Sequence, residues 1–513
     1  MLNYNSVSNI GDLLQRQSEK YPKLEALVDS KHRLTYAQLE EQVSRLSSYL
    51  YKEMHVRKGD RVVIAIENSV QYVIAFYATL KLGAIVVPLN PSYQEIESEY
   101  VLVKTEPKVI ITSNPTMMEK IKDYKKLNLS IMTVEKSKYS SIEEALRYVE
   151  HYNDEIEEVS KDDLGVIMFT SGTTGQPKGA MLTQGNILFS AHAGATVMQA
   201  TEEDRYLIPN PLFHIMGVTF TLRSLWTASK IVLMEKYSVR GALQLIEKER
   251  ITIHPGVPTM FILELNSEHF DKYDLSSLRT GEMAAAPCPV EIVKRIRKEM
   301  NCNILVAYGA TETSATLTIT SFEDSDEMRA ETVGRAIPGV EIKVVNDFGK
   351  RCTVGEVGEL LCRGPGVMKG YYKMPEETKE AFDEYGYFKT GDMAMIDENG
   401  YVKIVGRKKE MIIRGGFNIY PREIEEILHE HPDVKEAAVI GVPHEIYSEI
   451  PIACISLVEG RSVKEEIILE YLKERLVKYK VPDRIIIFRD LPVTASGKIS
   501  KLMIKQKIEQ QMM

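Results

Sequence analysis

The sequence predicts an α/β protein of at least two domains: a large N-terminal domain of α/β subdomains with a β-rich subdomain, and a small α+β C-terminal domain. Three observations carry this. At 513 residues the chain exceeds the ~250–300 residues at which one hydrophobic core stops growing. From Arg61 to about Val134 helical and strand patterns alternate, as in a mainly parallel sheet with covering helices. From Gly334 to Met411 the chain turns rich in glycine and in alternating patterns, as at Val340–Val345 and Glu356–Cys362, which predicts strands.

Ile10 to Tyr21 reads as an amphipathic opening helix. Thr35 with Gln38 three residues on forms a capping box for the next helix. Gly59-Asp60 turns into a strand over Arg61–Ile66, followed by a helix over Asn68–Leu82 and a strand over Ala84–Leu89. Tyr139 to Ser160 is acidic and polar, a surface connection. Leu164 to Phe169 is a buried strand, and after the glycine-rich stretch that follows it Thr183 caps a helix. Trp226, the only tryptophan, sits in an apolar segment and is expected in the core. Ile253–Met260 is a stiff, proline-containing loop between a strand and a helix. Asn303–Ala307 is another apolar strand, as is Tyr401–Val405, and Pro421 near a first turn begins a helix to His429.

Bulk properties exclude several classes. The formal net charge is −9 with no basic block, which argues against nucleic acid as the main partner. Five cysteines without a CxxC pair predict packed, reduced thiols in a cytoplasmic protein. His429 and His431 are the only close pair among ten histidines, and nothing beside them completes a metal set. The longest apolar region, Tyr72–Leu89, is interrupted by Lys81, Gly83 and Pro88, so no integral membrane segment is expected. A homodimer is a further expectation.

The stretch that organises the chain is Met168-Phe169-Thr170-Ser171-Gly172-Thr173-Thr174-Gly175-Gln176-Pro177-Lys178-Gly179-Ala180. Its glycines allow tight turns with exposed amides. Thr170, Ser171, Thr173 and Thr174 add hydroxyls and Lys178 an ammonium. Many donors and one positive charge suit a polyphosphate. Pro177 precedes the lysine, so this is not a Walker A loop.

Residues 168–180 resemble the phosphate loop of the adenylate-forming superfamily, which includes acyl-CoA synthetases, luciferases and peptide-synthetase adenylation domains. The resemblance runs from Leu34 to Lys498 through several motifs in order. It implies a nucleotide site of Ser171, Gly172, Thr173, Thr174, Gly175 and Lys178 with Thr170, joined by Tyr308, Gly309 and Thr311 from Tyr308-Gly309-Ala310-Thr311-Glu312. Glu312 would hold Mg²⁺, Asp392 the ribose hydroxyls, and Arg407 the ribose or phosphate. Lys498, in Pro492-Val493-Thr494-Ala495-Ser496-Gly497-Lys498, matches the catalytic lysine. The resemblance divides the chain into an adenylation domain, 1–408, and a mobile domain, 409–513, with Lys409 as hinge. Gly415 and Gly416 would line a pantetheine tunnel.

By the same resemblance His214 is a gate at the carboxylate pocket rather than a proton-transfer base, and Val218, Val257, Met283, Ala284 and Ala285 line that pocket. Relatives usually have His at Gln184, glycine at Ala285 and an uncharged residue at Glu282. Glu282 is therefore expected either to point to solvent or to signal an unusual substrate. The activity implied is ligation of a hydrophobic carboxylic acid, foremost a fatty acid, to CoA through an acyl-AMP, with ATP and Mg²⁺. Loading of a carrier-protein thiol, an aryl-acid ligase, a luciferase-like oxidase and a nonenzymatic nucleotide-binding module are the alternatives.

Overall fold

The structure, a computed structural model, describes residues 4–148, 157–170, 177–286, 289–415, 417–493 and 499–512. It divides into two compact units, one of residues 1–342 and 362–388, the other of residues 343–361 and 389–513. The β-rich segment thus divides between them, its strands beyond Lys389 clustering with the C-terminal part of the chain.

The first unit contains a seven-stranded sheet ordered Ser140–Ser141, Ser130–Thr133, Val109–Thr112, Arg61–Ala65, Ile85–Pro88, Leu164–Thr170, Lys178–Thr183. Its pairings are parallel except the last, an antiparallel hairpin with Thr170 opposite Lys178. The alternation read from the sequence accounts for the parallel part. Both faces of such a sheet are covered, so its strands are nearly continuous apolar runs: Val109–Thr112 and Ile85–Pro88 are buried at every position. The strand Lys178–Thr183 was not anticipated; it is the return arm of the hairpin.

Local signals act as expected. Thr35 Oγ1 accepts the Gln38 amide at 3.3 Å while Gln38 Oε1 accepts the Thr35 amide at 2.9 Å, closing the capping box at the head of helix Tyr36–Lys52. Thr183 and Asn186 do the same for helix Gln184–Val197. Gln184 is buried, donating to the Leu80 carbonyl and accepting the Ile10 amide. It ties the opening helix, Ile10–Lys20, to the helix Val70–Lys81. Trp226 is buried, as are Cys302, Cys362 and Cys454, and burial pushes these three thiols up to about 12.

Two further sheets complete this unit. One is ordered Arg205–Ile208, Lys230–Leu233, Glu25–Val28, Arg33–Thr35, the other Thr280–Met283, Asn303–Ala310, Ala315–Ile319, Arg335–Ala336. Ile253 bridges them, pairing with Tyr206 on one side and Thr280 on the other. Among the described residues no helix is long and apolar enough to cross a membrane.

Most residues of a sheet ordered Glu341–Val345, Gly358–Arg363, Phe388–Ile396, Val402–Arg407 belong to the second unit. A five-stranded sheet follows, centred on Ser448–Leu457, which pairs antiparallel with Val434–His444 and parallel with Arg484–Phe488. Apolar clusters cover both its faces: Ile424, Leu428, Ile468 and Leu472 pack on one, Leu491, Ile504 and Ile508 on the other.

Candidate active site

In the first unit the hairpin of the seven-stranded sheet presents Thr170 and Lys178 at the ends of its arms, with the Thr170 hydroxyl 3.4 Å from the Lys178 carbonyl. Ser171, Gly172, Thr173, Thr174 and Gly175 lie outside the described residues. The segment 369–372 runs along the return arm: Met181 donates to the Gly370 carbonyl at 2.9 Å and Tyr372 to Gly179 at 2.8 Å. This places Tyr371, which the sequence reading did not single out, between two predicted site residues. Its ring lies 5.0 Å from Lys178 Nζ, and its hydroxyl donates to Glu312 Oε1 at 3.0 Å. Burial first, and then the Glu312 charge, raise the Tyr371 pKa, so the phenol keeps its proton and remains a donor.

Glu312 sits on the single turn Thr311–Thr313 that follows the strand Asn303–Ala310. That strand runs on through Tyr308 and Gly309, and folds back as Ala315–Ile319 with Gly309 opposite Thr316. A Cβ on Gly309 would lie 1.5 Å from the Ala315 carbonyl oxygen, so the close return of the backbone alone requires glycine there. The Met368 amide donates to the Glu312 carbonyl at 2.8 Å, and so the segment holding Tyr371 also holds the Glu312 backbone.

His214 occupies the N-cap of helix Ile215–Thr227 without a side-chain cap bond; its ring tilts against Phe213 at 4.7 Å. The preceding turn is braced by Asn68, which donates to the Asn210 carbonyl and accepts the Leu212 amide, and by the Tyr72 hydroxyl on Leu212. Val218, one turn on, is buried and borders a small cavity with Tyr72, Phe76 and Leu212. Val257 caps helix Pro258–Leu265. Met283 has no exposed surface and packs in the core with Phe261, Val293 and Ile304, whereas Ala284 is half-buried and Ala285 exposed.

Ala285 has φ +76°, the left-handed region in which a Cβ costs roughly 1–2 kcal/mol. Ala285→Gly is therefore expected to stabilise the fold by about 0.5–1 kcal/mol after glycine's greater entropy loss, read as a higher denaturant midpoint with an unchanged slope.

The expectation that Glu282 points to solvent is corrected. Glu282 is 3% exposed, so it does not point to solvent. Nor is its charge unpaired toward a substrate: Arg223 Nη1 donates to its Oε2 at 2.6 Å, and the Thr316 hydroxyl lies 3.2 Å from its Oε1. A carboxylate can be buried at tolerable cost only with such partners.

In the second unit Asp392 and Arg407 face each other on neighbouring strands. Arg407 Nε donates to Asp392 Oδ1 at 2.7 Å; the aspartate is 5% exposed and the arginine 54%. Thr390 Oγ1 accepts the Asp392 amide. Lys409 is exposed on the turn Lys408–Glu410. Gly415 has φ +57° and donates its amide to the Tyr447 carbonyl at 2.8 Å; Gly416 lies outside the described residues. So does Lys498, but the chain on its two sides is joined, Val493 bridging Ile499 and Ser500 donating to Pro492 at 2.8 Å. Lys501, also absent from the sequence reading, then binds Glu410 Oε2 at 2.6 Å and Glu425 Oε1 at 2.8 Å.

The first unit thus carries a hairpin with its lysine and a carboxylate on a tight turn, and the second a paired aspartate and arginine. Two families match in sequence: AMP-binding enzyme over residues 14–372 and AMP-binding enzyme C-terminal domain over residues 423–498. The chain belongs to the AMP-binding enzyme family, among its acyl-CoA synthetases and ligases.

Particular relatives narrow the picture. YngI of Bacillus subtilis (strain 168), provisionally named an acyl-CoA synthetase, is 38% identical over 98% of this chain and 97% of its own. The mitochondrial medium-chain acyl-CoA ligase ACSF2 of Homo sapiens is 35% identical over 98% of this chain and 87% of its own. Among solved structures, ATP-bound MatB from Rhodopseudomonas palustris is similar with TM-score 0.90 and 30% identity, covering 98% of this chain and 99% of that one.

Proposed function

We propose that the protein is an ATP-dependent acyl-CoA ligase for fatty acids, foremost of medium chain, that works through an acyl-AMP and releases AMP and pyrophosphate. The observation that carries the substrate class is the closure of Glu282 by Arg223. With that carboxylate neutralised inside the protein, the candidate pocket positions Val218, Val257, Ala284 and Ala285 are apolar, which suits an aliphatic chain. The likeness to a medium-chain acyl-CoA ligase supports the same chain class.

A carboxylate is a poor electrophile, and attack on the α-phosphate of ATP converts it into an adenylate. Two anions then approach each other, so the site must supply positive charge aimed at the developing transition state. Lys178 and the hydroxyls beside it bind the leaving pyrophosphate. Asp392 accepts the ribose hydroxyls while Arg407 holds its carboxylate in place. His214 gates the carboxylate pocket, and Lys498 neutralises the reacting oxygens. Rotation about Lys409 would then withdraw Lys498 and admit the CoA thiol past Gly415 and Gly416.

Glu312 fits Mg²⁺. This hard cation is commonly held by one or two carboxylates together with substrate phosphates, and among the described residues no group of three His, Cys, Asp or Glu gathers into a cage for another metal. Tyr371 donates to one of the Glu312 oxygens and so orients the carboxylate that would hold the ion. When bound, Mg²⁺ neutralises charge on the phosphate oxygens.

Tyr371→Phe removes a hydrogen bond to a charged group, worth about 1.5–3 kcal/mol. The expected result is roughly a ten- to hundredfold loss in adenylation with a raised Mg²⁺ requirement, measured by pyrophosphate exchange across a Mg²⁺ titration.

The deciding experiment is ATP–pyrophosphate exchange with short-, medium- and long-chain fatty acids and aryl acids, followed by thioester detection with CoA. Exchange strongest with medium-chain acids and CoA-dependent AMP release are expected. Formation of ADP, or no exchange with any acid, would overturn the reading.

A further inference from the structure

Behind the predicted site, three polar side chains meet in an otherwise apolar interior. Arg223, with no exposed side-chain surface, donates from Nη1 to Glu282 and from Nη2 to Thr316 Oγ1 at 2.7 Å. The Thr316 hydroxyl completes the triangle on Glu282 Oε1. The guanidinium also lies 4.6 Å from the Phe220 ring centre, with Nη1 3.5 Å from Met198 Sδ. Space for it comes from Gly194, where a Cβ would lie 2.1 Å from Arg223 Nε.

Each corner of this triangle is the back of a site element. Arg223 stands on the helix that starts at His214 and carries Val218. The Glu282 carbonyl accepts the Gly256 amide at 3.0 Å, so the Glu282 strand holds the loop leading into Val257, and its own chain continues into Met283–Ala285. Thr316 lies opposite Gly309, beside Tyr308. Three bonds from two charged groups thus tie the acid gate, the pocket wall and the nucleotide hairpin to one another.

A buried ion pair is seldom more stable than well-packed apolar residues of the same volume. Its bonds are directional, however, and although Arg223 Nε is buried without a hydrogen-bond partner among the described residues, the three bonds made admit few arrangements. We propose that Arg223, with Glu282 and Thr316, is a positioning residue that sets where the acyl-pocket wall stands relative to the nucleotide hairpin, and thereby which chain length the enzyme prefers. This rests on the acyl-CoA ligase reading above.

The test is the double variant Arg223→Met/Glu282→Leu, assayed for folding and for kcat/KM with a ladder of fatty acids. One methylene in an apolar pocket is worth about 10- to 200-fold in discrimination. The variant is expected to fold, to keep its KM for ATP, and to lose about tenfold in the ratio between the preferred acid and its neighbours on the ladder. A preference ratio within about two-fold of the parent would overturn the proposal. Thr316→Val, which keeps shape and loses the hydroxyl, is expected to shift the same ratio in the same direction, with Thr316→Ser close to the parent. Should the double variant not fold, this pair decides: an unchanged ratio in Thr316→Val overturns the proposal. Failure of the ligase reading looks different, because the parent enzyme itself would then show no exchange with any acid.

Discussion

Lys498→Ala is expected to abolish acyl-adenylate formation while sparing thioester formation from supplied acyl-AMP. A unit charge about 4 Å from another is worth roughly 4 kcal/mol at an effective dielectric near 20, which is about three decades of rate. Only the first half-reaction brings an acid anion against a triphosphate, so only that step needs the ammonium. Single-turnover assays of each half-reaction check it. Parallel losses in both would refute the division of labour.

The second large effect is expected three residues later. Lys501 binds Glu410, which follows the proposed hinge lysine, and Glu425 on helix Pro421–His429. Glu425 Oε1 is fixed in turn by the Val439 amide at 2.7 Å. Burial alone would depress the Lys501 pKa, but Glu425 and Glu410 outweigh it and raise the value. Its folded value lies above its unfolded one, so this contribution to stability is fully present below the unfolded pKa. It fades only as pH rises through the folded pKa, and the ion pair therefore persists throughout neutral pH. Lys501→Met should free the base of the Lys498 segment from the chain beside Lys409. Misplacement of a reacting group by about 1 Å can cost about a hundredfold, so adenylation is expected to fall by roughly ten- to a hundredfold, with Lys501→Arg recovering most of it. A Lys501→Met enzyme with parental pyrophosphate exchange would show that the clamp does not position Lys498.

Much of this architecture was legible in the sequence because its signals are local. A capping threonine with its glutamine three residues on, or an apolar run bounded by a turn, states its structure within a few positions, and Thr35, Thr183 and the strands Arg61–Ala65 and Ile85–Pro88 follow suit. The Leu164–Thr170 arm was legible for the same reason. Its return arm was not, since Lys178 and Gly179 read equally well as loop. Least visible were partnerships across the fold. Tyr371 and Glu312 stand 59 positions apart, as do Arg223 and Glu282, and no periodicity connects them. Arg223 in particular reads as a charge interrupting an apolar helix, and Glu282 as an oddity in a loop. Only the folded chain makes one explain the other.

That mutual dependence has a historical side. In this arrangement the arginine at 223 needs a position 194 without a side chain, and without the acid at 282 its charge would be stranded in the interior. Homologues should accordingly inherit these three positions as a block, and grafting one of them alone into a cousin should fail.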